Sequence, residues 1–218
     1  MKTVFISRTA NLKGPLRAFC AANQIQLIDQ SLLTFKGVCP NEKPRETDVV
    51  FFTSPRSVRF YFSYFKYKNE FLATIGTSTA NELQKLGLSV DFTGTTPSHP
   101  EVVAQELKVW LGERTVLFPQ SHRSNRTMQK VLNPNQYLDL VVYETHFEPV
   151  KLVNKPNYLV LTSPSNAEAY MLSNKLENDQ FVMSFGTTTS TYLEENGVKN
   201  LCLSEPTEHA VVDALKKI

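Results

Sequence analysis

Short apolar runs alternate along the chain with segments in which apolar residues recur at every third or fourth position. Runs such as Val49 to Phe52 are continuously apolar, which is typical of strands buried on both faces. The alternation predicts an α/β fold with parallel sheets covered by helices on both faces. The predicted strands are residues 3–7, 26–27, 49–53, 72–75, 89–92 and 115–118, and the predicted helices are residues 13–23, 57–67, 80–86 and 100–111.

The chain also repeats part of itself. Thr53-Ser54-Pro55 returns as Thr162-Ser163-Pro164, and the turn at Gly76 returns at Gly186 with almost the same spacing. Segments with a similar start, at Thr3 and Thr115, are separated by nearly the same length of chain. A repeat of this length has the size of a small α/β domain, so we expect two similar lobes with a cleft between them.

Composition narrows the class of protein. The chain has 218 residues, of which 41% are hydrophobic and 20% charged, as in ordinary soluble globular proteins. The net charge of +2 predicts neither a nucleic-acid nor a membrane partner. The apolar stretch before Arg8 is too short for a signal peptide, and no run reaches the length of a membrane span. We therefore expect a cytoplasmic protein.

Several kinds of chemistry leave no signature. Cys20, Cys39 and Cys202 are odd in number and contain no Cys-x-x-Cys, so we interpret all three as small apolar side chains. The four histidines lack metal-ligand spacing, and the glycines form no nucleotide-binding loop and no Gly-x-Ser-x-Gly elbow. We expect no metal, no nucleotide cofactor and no conventional nucleophile. The charged residues 41–47 are interpreted as a polar surface connection or a first helical turn.

Two turns repeat the sequence Thr-Ser-Pro between a strand and a helix. A serine cap followed by proline at the first helical position is what a helix start needs, and capping is the more common role. Helix N-termini at the carboxyl ends of parallel strands also bind anions. Gly76 to Thr79 and Gly186 to Thr189 follow strands in the same way, so four such ends favour a ligand with several carboxylates. The nearby cations are Arg8, Lys13, Arg56, Arg59, Arg123 and Arg126.

An aromatic segment follows the first Thr-Ser-Pro turn. One face of the predicted helix is apolar at positions i, i+3, i+4 and i+7, which favours packing in the core over a stacking platform; its members are Val58, Tyr61, Phe62 and Phe65. Three other aromatic residues point elsewhere and are candidates to line a cleft: Phe60, Tyr64 and Tyr67.

Tyr143 breaks the repeat. When the copies are aligned on Thr3 and Thr115, its counterpart is Ser31, so the tyrosine has no equivalent in the first copy. A tyrosine in a strand more often packs than reacts. Because Tyr143 lies at the junction between the copies, where a cleft is expected, its position favours a chemical role more than a strand position does in general.

In order and spacing these motifs resemble the uroporphyrinogen-III synthase family over essentially the whole chain. The segments that carry the resemblance are Ser7-Arg8, residues 52–58, 75–80 and 86–87, Val142 to Thr145, and residues 161–165 and 185–189. The last motif departs from the Gly-Pro-Thr-Thr that is frequent in the family, because Thr187 stands in place of proline. The hydroxyl groups remain, but the helix start is looser.

The resemblance implies an architecture. It predicts two flavodoxin-like α/β lobes with parallel sheets, related by internal duplication and joined by a two-stranded linker. Residues 1–34 and 147–218 would form the first lobe and residues 38–142 the second. Residues 35–37 and 143–146 would be hinge linkers, and Tyr143 would look into the cleft.

The resemblance also implies an activity. The family's enzymes are lyases of porphyrin and heme biosynthesis that dehydrate hydroxymethylbilane, a linear tetrapyrrole with eight carboxylates, and close it to uroporphyrinogen III with inversion of ring D through a spiro intermediate. Tyr143 would assist departure of the hydroxyl group in the interdomain cleft. No cofactor is implied, and a monomer is expected. The implied substrate-binding residues are Thr53, Ser54, Arg56, Thr79, Ser163, Ser165, Asn166, Thr188 and Thr189.

Three other functions are compatible with the repeat and the polar turns. A non-catalytic two-lobed binding protein for an acidic small molecule would have the repeat and the anion-binding turns, but no reason for the unpaired Tyr143. A flavodoxin-like redox or sugar-modifying enzyme would need a flavin or nucleotide loop, which the sequence lacks. An inactive relative of the synthases also fits the sequence.

Overall fold

Regular secondary structure covers most of the chain. The computed structural model describes residues 1–40, 44–177 and 179–218. Within them the strands are β1 (Thr3–Ile6), β2 (Gln26–Asp29), β3 (Leu33–Gly37), β4 (Val49–Phe52), β5 (Phe71–Thr74), β6 (Phe92–Thr93), β7 (Val116–Ser121), β8 (Tyr137–Phe147), β9 (Tyr158–Leu161), β10 (Phe181–Phe185) and β11 (Leu201–Leu203). The α-helices are α1 (Pro15–Ala22), α2 (Pro55–Tyr64), α3 (Thr77–Lys85), α4 (Pro100–Leu111), α5 (Pro164–Ser173), α6 (Gly186–Glu195) and α7 (Glu208–Leu215), and Gln129–Val131 forms a 3-10 turn.

The predicted alternation of strands and helices is confirmed, but several element ends were wrong. Helix α2 begins at Pro55 because Ser54 caps it, and it ends at Tyr64 instead of continuing to residue 67. Helix α3 begins at Thr77, three residues before the predicted start, because the backbone N–H groups of Thr79 and Ala80 already donate to the Gly76 carbonyl. In the charged stretch, residues 41–43 lie outside the described residues, and residues 44–47 form no helical turn.

The chain divides into two compact units. The first unit consists of Met1–Thr34 and His146–Ile218, and the second unit consists of Phe35–Thr145. Strands β3 and β8 each cross a boundary between these segments. The first unit therefore combines the beginning of the chain with its end, and the second unit is continuous in sequence.

Strands that correspond in the two copies of the repeat take the same places in the two sheets, although their order along the chain differs. The first sheet is β2-β1-β9-β10-β11, and the second is β8-β7-β4-β5-β6 with β3 added beside β8. All neighbouring strands of the first sheet are parallel, and so are all neighbours between β8 and β6 in the second sheet. In the first unit this is the flavodoxin-like order, in which the first two strands are exchanged. The predicted α/β fold class with parallel sheets is confirmed.

The first unit buries both faces of its sheet. In β1, Val4 and Ile6 pack with Leu16 of α1 and with α7, whereas Phe5 packs on the other face against Tyr170 of α5. Successive strand residues point to opposite faces, so a strand covered on both sides has to be apolar throughout. This requirement explains the continuous apolar runs that mark the strands in the sequence.

The second unit has the same layers. Val49 and Phe51 of β4 pack against α4, and Val50 and Phe52 pack against α2 and α3. The predicted core face of α2 is confirmed, since Val58 and Tyr61 are buried and Phe62 and Phe65 pack against the same cluster. Tyr64 and Tyr67 are partly exposed, whereas Phe60 joins the cluster.

The three cysteines differ in their surroundings. Cys20 of α1 is buried in the core of the first unit, whereas Cys39 and Cys202 are exposed. The interpretation as packed apolar side chains therefore holds for Cys20 alone. At the other two positions, on the connection after β3 and on the edge strand β11, exposure follows from the place of the residue in the fold.

Helix α4 offers a test of the layered core. Leu107 is fully buried, whereas Val109, two residues further along, is 84% exposed. We expect Leu107→Ala to lower the free energy of unfolding by about 2–5 kcal/mol, because it leaves a cavity, and Val109→Ala to change it by less than about 0.5 kcal/mol. Trp110, the single tryptophan, lies on the same helix, so its fluorescence during urea unfolding reports on the second unit. Equal losses from the two variants would contradict the assigned buried face.

Candidate functional site

Each unit brings two helix N-termini to one edge of its sheet. Strands β4 and β5 are parallel neighbours that lead into α2 and α3, and β9 and β10 lead in the same way into α5 and α6. Because parallel strands end at the same edge, the four turns predicted to bind carboxylates fall into two pairs, one in each unit. Backbone N–H groups in the first turn of a helix have no partner within the helix and favour anions.

The Thr-Ser-Pro turns cap their helices. The Ser54 hydroxyl accepts a hydrogen bond from the Ser57 backbone N–H at 3.1 Å, and the Ser57 hydroxyl accepts one from the Ser54 N–H at 3.3 Å. In the other copy the Ser163 hydroxyl accepts from the Asn166 N–H at 3.2 Å. Proline occupies the start of both helices. The predicted capping role is confirmed, and a second role toward a ligand stays a prediction.

Asn166 is buried and holds the second turn in place. Its side-chain amide donates to the Ser163 hydroxyl at 3.1 Å, and its carbonyl oxygen accepts from the Leu32 backbone N–H at 3.2 Å. The adjacent Ser165 is partly exposed, as is Thr53 at the end of β4. At this turn the structure therefore gives Asn166 a scaffold role and leaves Ser165 accessible.

The two glycine turns carry no capping side chain. Helices α3 and α6 begin without a side-chain hydrogen bond at the N-cap. Gly186 has φ of +74°, a value that glycine adopts without strain. Thr79 and Thr189 are buried, and within the described residues the Thr79 hydroxyl has no hydrogen-bond partner. Thr188 is exposed.

Three exposed hydroxyl groups lie in the glycine turns that the sequence analysis named, although they are not among its proposed substrate-binding residues. They belong to Thr77, Ser78 and Thr187, which lie in the first turns of α3 and α6. The signal was present in the sequence as serine and threonine directly after glycine. Because α3 was predicted to begin at Ala80, Thr77 and Ser78 were placed in the turn before the helix, whereas the structure places them in its first turn.

Tyr143 lies in a cluster of aromatic rings with Arg56. It is 7% exposed; the Phe60 ring stacks on it with centroids 5.1 Å apart, and the Phe35 ring meets it edge-on at 6.2 Å. The Arg56 guanidinium lies over Phe35, with its central carbon 3.5 Å from the ring centroid, and interacts electrostatically with Tyr143, whose ring meets Phe35 edge-on. Burial lowers the pKa of Arg56, and Tyr143 opposes this effect. The structure thus joins two of the predicted site residues.

The other candidate cations have different surroundings. Arg8 lies over Phe185, directly before the Gly186 turn, with its guanidinium carbon 4.7 Å from the ring centroid. Burial lowers the pKa of Arg8, and the nearby Glu208 raises it. Arg59 and Arg126 form ion pairs with Glu82 at 3.0 Å and with Asp139 at 3.2 Å. Arg8, like Arg56, therefore lies beside one of the predicted turns.

Neither a metal-binding cluster nor a membrane-spanning helix occurs among the described residues. Residues 1–40, 44–177 and 179–218 contain no group of three or more histidine, cysteine, aspartate or glutamate side chains able to hold a metal ion. None of the helices in these ranges has the length and apolar character needed to cross a membrane.

Two sheets in which corresponding strands take the same places, with polar turns gathered at their carboxyl edges, define a duplicated α/β protein of the kind that binds small ligands at that edge. Comparison of the sequence with known families identifies one family within this class. The sequence matches the family described as uroporphyrinogen-III synthase HemD over residues 26–213, and the chain belongs to that family. The match includes all four turns and Tyr143.

Individual relatives agree with this assignment. The uroporphyrinogen-III synthase of Chlorobaculum parvum is 25% identical over an alignment 224 residues long including gaps, which covers 91% of this chain and 91% of that protein. The structure of uroporphyrinogen-III synthetase from Helicobacter pylori 26695 has a TM-score of 0.74 at 19% identity and covers 100% of this chain and 99% of that chain. A mutant uroporphyrinogen III synthase from Thermus thermophilus has a TM-score of 0.66 at 14% identity, with 100% and 98% covered. At these identities the two structures establish a shared fold.

The family assignment confirms the resemblance predicted from the motifs. It also confirms the predicted class of protein, since the family consists of lyases of tetrapyrrole biosynthesis. The roles assigned to individual residues stay predictions.

The capping role of the Thr-Ser-Pro turn can be measured against a matched serine. We expect Ser54→Ala to lower the free energy of unfolding by about 1 kcal/mol, because the Ser57 N–H loses its acceptor. Ser78→Ala removes an exposed hydroxyl from the neighbouring helix start and should change it by less than about 0.5 kcal/mol. Urea unfolding followed by Trp110 fluorescence reports on both. A Ser78 effect as large as the Ser54 effect would contradict the contrast between a capped and an uncapped helix.

Proposed function

We propose that the chain is an active uroporphyrinogen-III synthase. It would dehydrate hydroxymethylbilane and close it to uroporphyrinogen III with inversion of ring D. The observation that carries this proposal is the family match, which spans residues 26–213 and with them Tyr143 and all nine proposed substrate-binding residues. The alternative, a binding protein for an acidic small molecule, gains no support from the match.

We propose that the substrate carboxylates bind at the four turns. Uncapped helix starts, exposed hydroxyl groups and the two arginines beside the turns support this role, because each offers hydrogen-bond donors to an anion. Diffuse binding of this kind suits a flexible substrate with many carboxylates. The residues proposed to take part, directly or through their backbone amides, are Thr53, Ser54, Arg56, Thr79, Ser163, Ser165, Asn166, Thr188 and Thr189.

We propose Tyr143 as the proton donor of the first step. As the C–O bond of the hydroxymethyl group breaks, the phenol gives its proton to the departing oxygen, which leaves as water. The pyrrole nitrogen of the same ring loses its proton, which restores the phenol and yields a neutral azafulvene. This electrophile is reactive, so ring closure then depends chiefly on how the protein folds and orients the chain of pyrroles.

The remaining expectations belong to the same proposal. Residues 1–34 with 147–218 and residues 38–142 are proposed as the two lobes, with residues 35–37 and 143–146 as linkers; the division of the chain near these positions supports this. We propose that the protein acts as a cytoplasmic monomer without a nucleic-acid or membrane partner, in keeping with a net charge of only +2.

The proposed activity is tested by the isomer that the protein forms. Purified protein is incubated with freshly generated hydroxymethylbilane, and the oxidised porphyrins are separated by chromatography. Since the bilane closes unaided to the type I ring, the reaction contains its own control, and we expect type III to dominate. Type I alone, formed at the uncatalysed rate, would refute the proposal. Tight binding of the bilane would in that case favour the binding-protein alternative.

The role of Tyr143 is tested by removing its hydroxyl group. We expect Tyr143→Phe to lower kcat about tenfold to a hundredfold, at or below the low end of general acid catalysis, because a phenol is a weak acid. The packing of the ring against Phe60 is kept, so the urea midpoint should stay close to that of the wild type. Tyr67→Phe, at a partly exposed tyrosine, serves as the control. Unchanged turnover in Tyr143→Phe would remove Tyr143 from the mechanism.

A further inference from the structure

The ring of Tyr143 is fixed by its neighbours. Phe60 stacks on it with an interplanar angle of 18°, Phe35 meets it at 67°, and the residue belongs to the buried core of the second unit. A ring packed in this way keeps its hydroxyl group at one position. Only the direction of the O–H bond is left to be set, and that direction depends on what the phenol oxygen accepts.

Arg56 is fixed as well. It follows Pro55 in the first turn of α2, and the Ser54 and Ser57 side chains lock this turn by exchanging hydrogen bonds with each other's backbone. Its guanidinium carbon lies 3.5 Å from the centroid of the Phe35 ring, a distance at which a desolvated cation is attracted to the ring face. Among the ion pairs formed by the described residues, none includes Arg56, whereas Arg59 on the same helix pairs with Glu82.

The contact between these two residues has a chemical direction. A guanidinium has N–H donors only, so toward Arg56, which lies over the Phe35 ring that Tyr143 meets edge-on, the phenol oxygen can act only as an acceptor. The phenol proton therefore points away from Arg56. When that proton is given up, the negative charge that develops on the oxygen lies beside a cation in a partly desolvated place, where such pairs are strong.

We infer that Arg56 is a positioning residue for Tyr143, which it holds with the phenol proton directed toward the departing hydroxyl group of the substrate. The inference rests on the proposed function. It differs from the role of Arg56 as a carboxylate ligand, because a carboxylate ligand acts on substrate binding, whereas a residue that acts through Tyr143 changes the chemical step and needs the tyrosine hydroxyl to do so.

A double-mutant cycle separates these roles. Wild type, Arg56→Gln, Tyr143→Phe and the double variant are compared in kcat and KM for formation of the type III isomer. We expect Arg56→Gln to lower kcat about tenfold, with a smaller change in KM, and to have almost no further effect when Tyr143 is already phenylalanine. Arg56→Lys, which keeps the charge but not the planar fork, should recover part of the loss. Arg59→Gln, from the same helix, should leave kcat unchanged.

Two kinetic results would overturn the inference. If Arg56→Gln raises KM and leaves kcat as it was, the residue is a substrate ligand alone. If the losses in kcat from the two single variants multiply in the double variant, Arg56 does not act through the Tyr143 hydroxyl.

A second readout needs no activity. In urea unfolding followed by Trp110 fluorescence, loss of the Arg56 side chain should shift the midpoint less in the Tyr143→Phe background than in the wild type. Additive shifts in an active enzyme would overturn the positioning role and leave the synthase function intact. Coupled shifts in a wild type that forms only the type I ring would mean that the contact exists but the proposed function has failed, and the inferred role in that reaction with it.

Discussion

A parallel sheet that is covered by helices on both faces has no solvent-exposed face on which polar side chains can lie. The positions of the polar residues elsewhere in the molecule follow from this constraint. Strands β1, β4 and β9 are buried along their whole length. Polar side chains can then gather only where the strands end. Because parallel strands end at a common edge, the turns after β4 and β5, and those after β9 and β10, are neighbours although they are distant in sequence. The place of the candidate site is therefore a consequence of the core.

At that edge, serine hydroxyl groups cap the helices at the Thr-Ser-Pro turns, whereas the hydroxyl groups at the glycine turns cap no helix. At α2 and α5 a serine caps the helix, and proline removes a further N–H that would need a partner. At α3 and α6 no side chain caps the helix, and serine and threonine hydroxyls are exposed beside the first backbone N–H groups. Each unit thus pairs a satisfied helix end with an unsatisfied one. The unsatisfied end is the one with donors to offer an anion.

The sequence was sufficient for the layers and the caps because both depend on local pattern. Continuous apolar runs marked the strands, and Thr-Ser-Pro marked two helix starts correctly. It was insufficient at the glycine turns, where the weak helix propensity of serine and threonine concealed the true start of α3, and with it the exposure of Ser78. It was also insufficient for the contact between Arg56 and Tyr143, since these residues meet only once β8 joins the sheet that carries α2. The exchange of segments between the units came from the family resemblance, because no local pattern records it.

The difference between the two units carries the functional argument. Corresponding strands take the same places in both sheets, and each unit has the same pair of helix starts, so the turns proposed to bind carboxylates occur in both. The cluster around the phenol is confined to the second unit, because three of its four members are replaced at the corresponding positions of the first: Arg56 by Ser165, Phe60 by Ala169 and Tyr143 by Ser31, whereas Phe35 corresponds to Phe147. Ser31 there only closes a local turn with the backbone of Leu33. Under the proposed function this asymmetry matches the substrate, which carries carboxylates along its whole length but a hydroxymethyl group at one end. Under the same proposal, the duplicated scaffold provides anion-binding turns in both units, and three side-chain differences at corresponding positions distinguish the unit that holds the proton donor.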